Sequence, residues 1–172
     1  MSTRLTLHAG PAVGFDQPFE MLAACHERVR RSLDLLLRLQ AHVDRCGADA
    51  QAQDAARDVL RYFDLAGPKH HEDEDRHVLP RLRAEGRADL ADRLAAEHAE
   101  MSRQWAALRP ALVDVTQAKP GHLDAGACQA YAALYAAHMA AEEGEAFPLA
   151  AQSLSPQATA AMAEDMAARR RG

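Results

Sequence analysis

The sequence predicts an all-α fold, an up-down-up-down four-helix bundle with an N-terminal arm and a short C-terminal helix. Three observations support this prediction. The 172 residues include 39 alanines, seven valines, four threonines and no isoleucine, a composition that favours helices over strands. Apolar residues recur at steps of three and four along four long segments. The connections between these segments are short, as in a helical bundle.

The arm is predicted over residues 1–15, which show no helical period and contain glycine and proline. The first helix is predicted over about residues 17–46. Asp16 is a candidate for its N-terminal cap, and Gly47 supplies a stop signal. The apolar stripe of this helix includes His26, so we expect that imidazole to face the core.

The second helix is predicted to begin after Asp49, a candidate cap. Its apolar pattern is interrupted at Gly67-Pro68 and then resumes on the same face with His70. A proline inside a helix removes one backbone hydrogen bond, so we expect a kink here and not an end. Pro80 and Gly86 mark the exit from this helix.

The third and fourth helices follow the same rules. The third is predicted over about residues 89–109, and His98 occupies a core position in its apolar seam. The fourth is predicted to begin after Asp124, a candidate cap, and it carries His138 on its seam. The two histidines are therefore expected to point toward the same bundle axis as His26 and His70.

We expect the whole chain, residues 1–172, to form a single domain, because this length supports one sizeable core. The bundle would occupy about residues 17–150. A C-terminal helix is predicted over about residues 156–170, with Ser155 as its cap and Pro156 at its first position. This last helix would pack on the bundle or form a dimer contact, so a monomer and a homodimer both remain open.

Charge and hydropathy exclude several function classes. The formal net charge of −5 gives no support for nucleic-acid binding. No apolar run reaches the roughly 20 residues needed to span a bilayer, and the N-terminal segment lacks the apolar core of a secretory signal. We therefore expect a cytoplasmic protein without membrane contacts. The three cysteines are widely separated and are expected to be reduced thiols.

The histidines reveal an internal repeat. His70 and His138 each begin the motif H-x-x-x-E-[DE]-x-x-x-[LF]-P, which places Glu74 and Glu142 four residues further on. Each motif is preceded by a single seam histidine, at positions 26 and 98. The chain is thus predicted to consist of two similar helical hairpins packed face to face.

This spacing predicts a metal site. Residues four apart on a helix share one face, so the bundle would aim four imidazoles and two carboxylates at its axis. No lysine or arginine lies on these seam stretches to neutralise the carboxylates. Two metal ions would suit this set, each taking two histidines while a carboxylate from each motif bridges them. Imidazole and carboxylate without thiolate suit iron or manganese, and zinc is not excluded.

These segments resemble the hemerythrin-like, or HHE cation-binding, proteins over about residues 19–149. The residues that carry the resemblance are Cys25-His26-Glu27, the stretch from His70 to Pro80, Glu97-His98, and the stretch from His138 to Pro148. The resemblance implies a bundle around a non-haem di-iron centre, that is, two Fe ions. Glu74 and Glu142 would bridge the irons, and the terminal ligands would be His26, His70, His98 and His138.

The chain also departs from the oxygen-carrying members of that family. Those proteins place two histidines four residues apart on the third helix, whereas His98 has Ser102 and Leu94 at these positions. One imidazole of the oxygen carriers is therefore missing from this chain. Divergent bacterial members of the family, which act as iron sensors or in repair, are comparably good models for its function. The candidates for an additional ligand are His77, His71, Glu97 and Glu145.

Several functions are consistent with such a centre. The leading expectation is a di-iron protein that senses or reversibly binds dioxygen or nitric oxide. One alternative is iron handling or repair, by iron storage or donation. Another is a di-iron redox enzyme that acts on peroxide or nitric oxide. A bundle that holds zinc, or no metal, and binds a protein partner is a further alternative.

Residues outside the six candidate ligands receive simpler interpretations. The acidic residues beside the motif glutamates are expected to form a solvated face; they are Glu72, Asp73, Asp75 and Glu143. Tyr131, Tyr135 and Phe63 are expected to line a cavity near the metals, while Trp105 is expected to pack in the core. Tyr135 is also a candidate donor of a hydrogen bond to a metal-bound ligand.

Overall fold

The computed structural model describes residues 17–119 and 122–171, and the elements in these ranges are all helical. The prediction of an all-α fold is confirmed. The predicted N-terminal arm and the predicted cap Asp16 lie outside the described residues. The first helix has Gln17 at its cap position, without a side-chain hydrogen bond to the helix.

Four helical rods form the bundle. The first is α1, Pro18–Cys46. The second is built from α2 (Ala50–Arg61), a π-helical segment (Tyr62–Ala66), α3 (Gly67–His77) and α4 (Leu79–Ala84). The third is α5, Ala88–Thr116. The fourth joins α6 (Ala125–Ala141), a second π-helical segment (Glu142–Ala146) and α7 (Phe147–Gln152), and α8 (Pro156–Arg171) follows it.

Local sequence signals explain three of the helix ends. The side chains of Asp49 and Asp124 accept hydrogen bonds from the backbone N–H groups of Ala52 and Ala127, so both predicted caps are confirmed. Gly47 ends α1 with a φ of 72°, in the left-handed region that glycine adopts without strain.

Each π segment ends two residues before a proline. The N–H of Gly67 bonds to the carbonyl of Tyr62, and the N–H of Phe147 bonds to that of Glu142, five residues back in each case. The next residue is Pro68 or Pro148, whose ring cannot fit an uninterrupted α-helix because it lacks an N–H and clashes with the carbonyl four residues earlier. Widening of the preceding turn lets the helix continue, as predicted at Pro68.

The third helix is longer than predicted. The sequence pattern placed its end near Arg109, but α5 continues through Pro110 to Thr116. Beyond the proline, Leu112 and Val115 are fully buried. Burying two such side chains contributes about 1.5–3 kcal/mol each, which offsets the roughly 3 kcal/mol cost of a proline inside a helix.

The rods pack in a closed ring, with α1 against α2, α2 against α5, α5 against α6 and α6 against α1. Two apolar clusters fill the interior. One contains Leu36, Val59, Leu112 and Tyr131, and the other contains Leu22, Leu82, Leu94 and Phe147. Successive rods enter these clusters in opposite order, which is the up-down-up-down arrangement.

The C-terminal helix packs on the outside of the bundle, against α1 and α3. Met162, Ala163 and Met166 are buried there. Asp73 of α3 was expected on a solvated face, but this expectation is wrong because its side chain is fully buried and pairs with Arg169 and Arg170 of α8. No helix among the described residues has a stretch that is both long and apolar enough to cross a membrane.

Candidate metal centre

Six polar side chains form a layer between the two apolar clusters. Each of the four rods contributes to it, and all six residues are buried, with Glu74 and Glu142 at 0% exposure. The structure brings together the complete predicted set, namely His26, His70, Glu74, His98, His138 and Glu142. They form two overlapping groups in which the candidate ligand atoms lie within 4.8 Å of one another.

The first group contains His26 and His70 together with the two glutamates. Nε2 of His26 lies 3.2 Å from Oε2 of Glu142, and Nε2 of His70 lies 3.1 Å from Oε1 of Glu74. Nε2 of His26 is also 3.8 Å from Oε1 of Glu74. One oxygen of each carboxylate therefore faces this histidine pair.

The second group contains His98 and His138 with the same two glutamates. Nε2 of His98 lies 3.4 Å from Oε2 of Glu74, and Nε2 of His138 lies 3.1 Å from Oε1 of Glu142. The two Nε2 atoms are 3.0 Å apart, so they converge on one point. Each carboxylate thus divides its two oxygens between two histidine pairs.

Among the described residues, no lysine or arginine pairs with the carboxylates at the centre. Neither oxygen of Glu74 nor of Glu142 makes a satisfactory hydrogen bond within the described residues, and Nε2 of His26 is likewise buried without one. Burying a carboxylate without a full set of partners costs up to about several kcal/mol, and the imidazoles beside these two carboxylates neutralise them only when protonated. Metal cations match this donor set, because they satisfy the carboxylate oxygens and the imidazole nitrogens together.

Three of the histidines are held by carboxylates outside the centre. Nδ1 of His26 lies 2.7 Å from Glu143. Nδ1 of His98 lies 2.9 Å from Asp75, and Nδ1 of His138 lies 2.7 Å from Glu97. Such bonds fix the ring orientation and leave Nε2 free to face a metal.

These contacts add to the sequence interpretation. Asp75 and Glu143 are exposed, as expected, but each also binds a histidine of the other hairpin. A signal was available, because both are the acidic residue that follows the motif glutamate in the repeat. Their partners lie 23 and 117 residues away, so local periodicity could not reveal the pairing.

The carboxylates govern the protonation of the metal-free centre. Burial alone would lower the pKa of His26, but its contacts with Glu142, Glu74 and Glu143 outweigh burial and raise the pKa to about 10. Burial is likewise outweighed at His98, where Asp75 and Glu74 raise the pKa to about 10. His70 behaves differently, because burial dominates there and lowers its pKa.

The four candidates for an additional metal ligand lie in three different environments. His77 contacts Asp165 of α8, and Glu145 pairs with Arg87, so neither belongs to the two groups. Glu97 is the outer partner of His138. His71 is the strongest of these candidates for an additional ligand. The centroid of its ring lies 4.2 Å from that of His98 in a stacked arrangement, and its buried Nε2 lacks a hydrogen-bond partner in the described residues.

A cavity of about 480 Å³ reaches His98 of the second histidine pair. His71, His98 and Ser102 lie on its wall, together with the aromatic residues Phe63, Trp105, Tyr131 and Tyr135. The expectation that Phe63 and the two tyrosines line a cavity is confirmed. Trp105 also lines it, while its indole N–H donates a hydrogen bond to Asp64. The cavity gives a small molecule a path to His98.

A buried layer of imidazoles and carboxylates inside an antiparallel bundle is the architecture of a metal-binding four-helix protein. Residues 17–150 match the family described as the Hemerythrin HHE cation binding domain, and the chain belongs to this family. The buried cluster is accordingly its metal-cation site. The chain is also 28% identical, over 91% of its own length and 91% of the relative's, to a Haemophilus influenzae protein described only as uncharacterized.

Proposed function

We propose that the chain, as a single domain, binds two iron ions at this centre and uses them to sense or reversibly bind dioxygen or nitric oxide. His26 and His70 would hold one iron, and His98 and His138 the other. Glu74 and Glu142 would be shared. The observation that carries the proposal is the division of each carboxylate's two oxygens between the two histidine pairs.

The donor chemistry supports iron as the metal. Neutral imidazole and carboxylate, without thiolate, suit iron and manganese, and zinc also accepts this set. Four side-chain ligands for each ion leave positions for an exogenous molecule. Iron, when bound, supplies the electrons and vacant coordination positions that binding of a diatomic molecule requires.

The protein's own residues would control access to that chemistry. Asp75, Glu97 and Glu143 hold three of the imidazoles in the orientation that points Nε2 inward. The wall of the 480 Å³ cavity combines aromatic side chains with the carboxylates of Glu72 and Asp75, so it disfavours anions and admits an uncharged diatomic molecule. His71, whose pKa burial holds well below its usual value, is neutral beside this path.

A second candidate is a di-iron redox enzyme that acts on peroxide or nitric oxide. The observation that favours it is the cavity volume, about 480 Å³, which exceeds what a diatomic molecule needs and leaves room for a second reactant. Iron storage or donation has less support, because all six proposed ligands are buried and an exchanging ion needs exposed ligands.

The test is anaerobic titration of the iron-loaded protein with dioxygen and with nitric oxide, followed by absorption and by gas consumption. Reversible, stoichiometric uptake with new near-ultraviolet or visible bands supports a sensor or carrier. Continued consumption in the presence of a reductant supports the enzyme. No spectral response to either gas contradicts both. Ala99→Trp, at the cavity wall, should slow uptake without changing the iron content.

A further inference from the structure

One histidine of the centre lacks the outer carboxylate that the other three possess. Nδ1 of His70 is buried and has no hydrogen-bond partner among the described residues. The side chain is only 4% exposed, so its contact with bulk solvent is slight. A buried polar atom without a hydrogen-bond partner destabilises the folded state by about 1–3 kcal/mol. This penalty favours binding of a ligand that accepts a hydrogen bond from Nδ1.

The internal repeat shows which residue would have been the partner. When His26 and His98 are aligned as the seam histidines of the two hairpins, Cys25 aligns with Glu97. Glu97 binds Nδ1 of His138, the motif histidine of its own hairpin. The corresponding position in the first hairpin is Cys25, whose thiol is a weak hydrogen-bonding group and does not replace a carboxylate.

A cavity of about 200 Å³ lies at this place. Its wall includes His70 and Cys25, the phenol of Tyr62, and three cationic side chains, Arg28, Lys69 and Arg170. Within residues 17–119 and 122–171, no carboxylate belongs to the wall. The cavity is smaller than the roughly 300–1,000 Å³ of sites for drug-sized molecules, so it suits a small ligand.

The three cations are only partly neutralised. Arg170 pairs with Asp73. Lys69 donates a hydrogen bond from Nζ to the backbone carbonyl of Arg169, which leaves its charge unbalanced. Arg28 is exposed and makes no ion pair within the described residues. The cavity therefore presents excess positive charge next to an unsatisfied imidazole nitrogen.

We propose that this cavity binds a small oxyanion, a carboxylate or a phosphate, which takes the place of the missing outer carboxylate of His70. Arg28 and Lys69 supply the charge, and Nδ1–H of His70 donates a hydrogen bond to the anion. The bound anion raises the basicity of His70 as a ligand. This last consequence rests on the proposed function, whereas anion binding itself rests on the cavity.

The experiment is a titration of the full chain, labelled with ¹⁵N in its histidines, with phosphate and separately with malonate. It is made on the metal-free and the Zn²⁺-loaded protein, against sodium chloride at equal ionic strength. A saturable change of the His70 Nδ1 resonance with either oxyanion, and not with chloride, is the expected result. Absence of a response to both oxyanions overturns the proposal.

Two variants sharpen the test. Arg28→Met should weaken oxyanion binding roughly tenfold or more, because it removes a charged donor, whereas Arg31→Met on the same helix should leave binding unchanged. Cys25→Glu should supply the carboxylate internally, shift the His70 resonance without added anion, and abolish the titration, unlike Cys25→Gln. Equal binding by the Arg28 and Arg31 variants overturns the proposal.

Failure of this proposal is distinguishable from failure of the proposed function. A chain that takes up no iron contradicts the di-iron assignment, but its metal-free form still reports oxyanion binding at Arg28 and Lys69. Conversely, a chain that binds two irons with no response of His70 to oxyanions retains its metal centre and loses only the anion site.

Discussion

Oε1 of Glu143 lies 2.7 Å from Nδ1 of His26, and this bond joins the fourth rod to the first. Arg30 holds the same carboxylate from the other side, at 2.8 Å. Asp75 makes the equivalent contact with His98, so each hairpin supplies the outer carboxylate for the seam histidine of the other. The two hairpins are thereby coupled through the buried histidines and not only through apolar packing.

Removal of an outer carboxylate should weaken metal binding without unfolding the bundle. We expect Glu143→Gln or Asp75→Asn to lower metal affinity about 10–100-fold, because the imidazole loses its orienting charged partner. Affinity is measured by competition with a chelator of known strength. Glu72→Gln is the matched control, since that side chain is exposed and pairs with Arg76. Equal affinity in all three variants would contradict the assigned role of the outer carboxylates.

Loss of a shared carboxylate should impair both metal positions together. We expect Glu74→Gln to reduce the metal content to less than half that of the wild type, because one side chain faces both histidine pairs. His70→Gln changes only the first histidine pair, so the second metal position should keep its metal. Metal analysis after gel filtration distinguishes the two variants. A Glu74→Gln protein with full metal content would contradict the proposal that Glu74 is shared by both metal positions.

Metal uptake should release protons near neutral pH. In the metal-free protein, carboxylate contacts outweigh burial and hold the pKa of His26 and of His98 at about 10, so both imidazoles carry protons that a metal must displace. We expect release of about two protons for each filled centre, and affinity that rises with pH. Calorimetric Zn²⁺ titrations in two buffers of different ionisation enthalpy measure this. Identical apparent enthalpies in both buffers would contradict it.

The same raised pKa values set the pH dependence of stability without metal. A histidine whose pKa is higher in the folded state than in the unfolded state stabilises the folded protein. This contribution is complete at pH values below the pKa of the unfolded state, and it is lost as the pH rises through the pKa of the folded state. The metal-free protein should therefore lose stability between about pH 7 and pH 10. Chemical denaturation at several pH values tests this, and a metal-free protein that gains stability over this interval would refute the assignment.

The contact between α3 and α8 should contribute to stability. Asp73 is fully buried and pairs with Arg169 and Arg170, whose side chains are 12% and 26% exposed. We expect Asp73→Ala to lower the free energy of unfolding by about 2–3 kcal/mol, somewhat below the cost for a wholly buried pair. Urea denaturation measures the change. Asp54→Ala, at an exposed helical pair, should change stability by less than about 0.5 kcal/mol. Equal effects would contradict the assigned role of Asp73.

Access through the larger cavity is also testable. Ala99 lies on its wall, and Ala99→Trp should slow association of a gaseous ligand with the iron-loaded protein while leaving its metal content unchanged. Ala106 is an exposed alanine on the same helix but not on the wall, so Ala106→Trp is the control. Stopped-flow mixing gives both rates, and identical rates would mean that ligands use another path.

The four rods and the six central residues could be predicted from sequence because they follow local rules. Helical periodicity places His26 and His98 on apolar seams, and i,i+4 spacing places Glu74 and Glu142 beside their histidines. The outer carboxylates could not be placed in this way, because their role depends on how the hairpins pack. Asp73 shows the same limit, since its partners lie on a helix 96 residues later in the chain.

The most direct test of the central claim is the metal content of the anaerobically purified chain, together with its spectrum before and after admission of air. The shared carboxylates predict two irons per chain and new near-ultraviolet and visible absorption with dioxygen. One metal per chain, or zinc with an unchanged spectrum, would contradict the oxygen-reactive di-iron centre while leaving the metal-binding bundle in place.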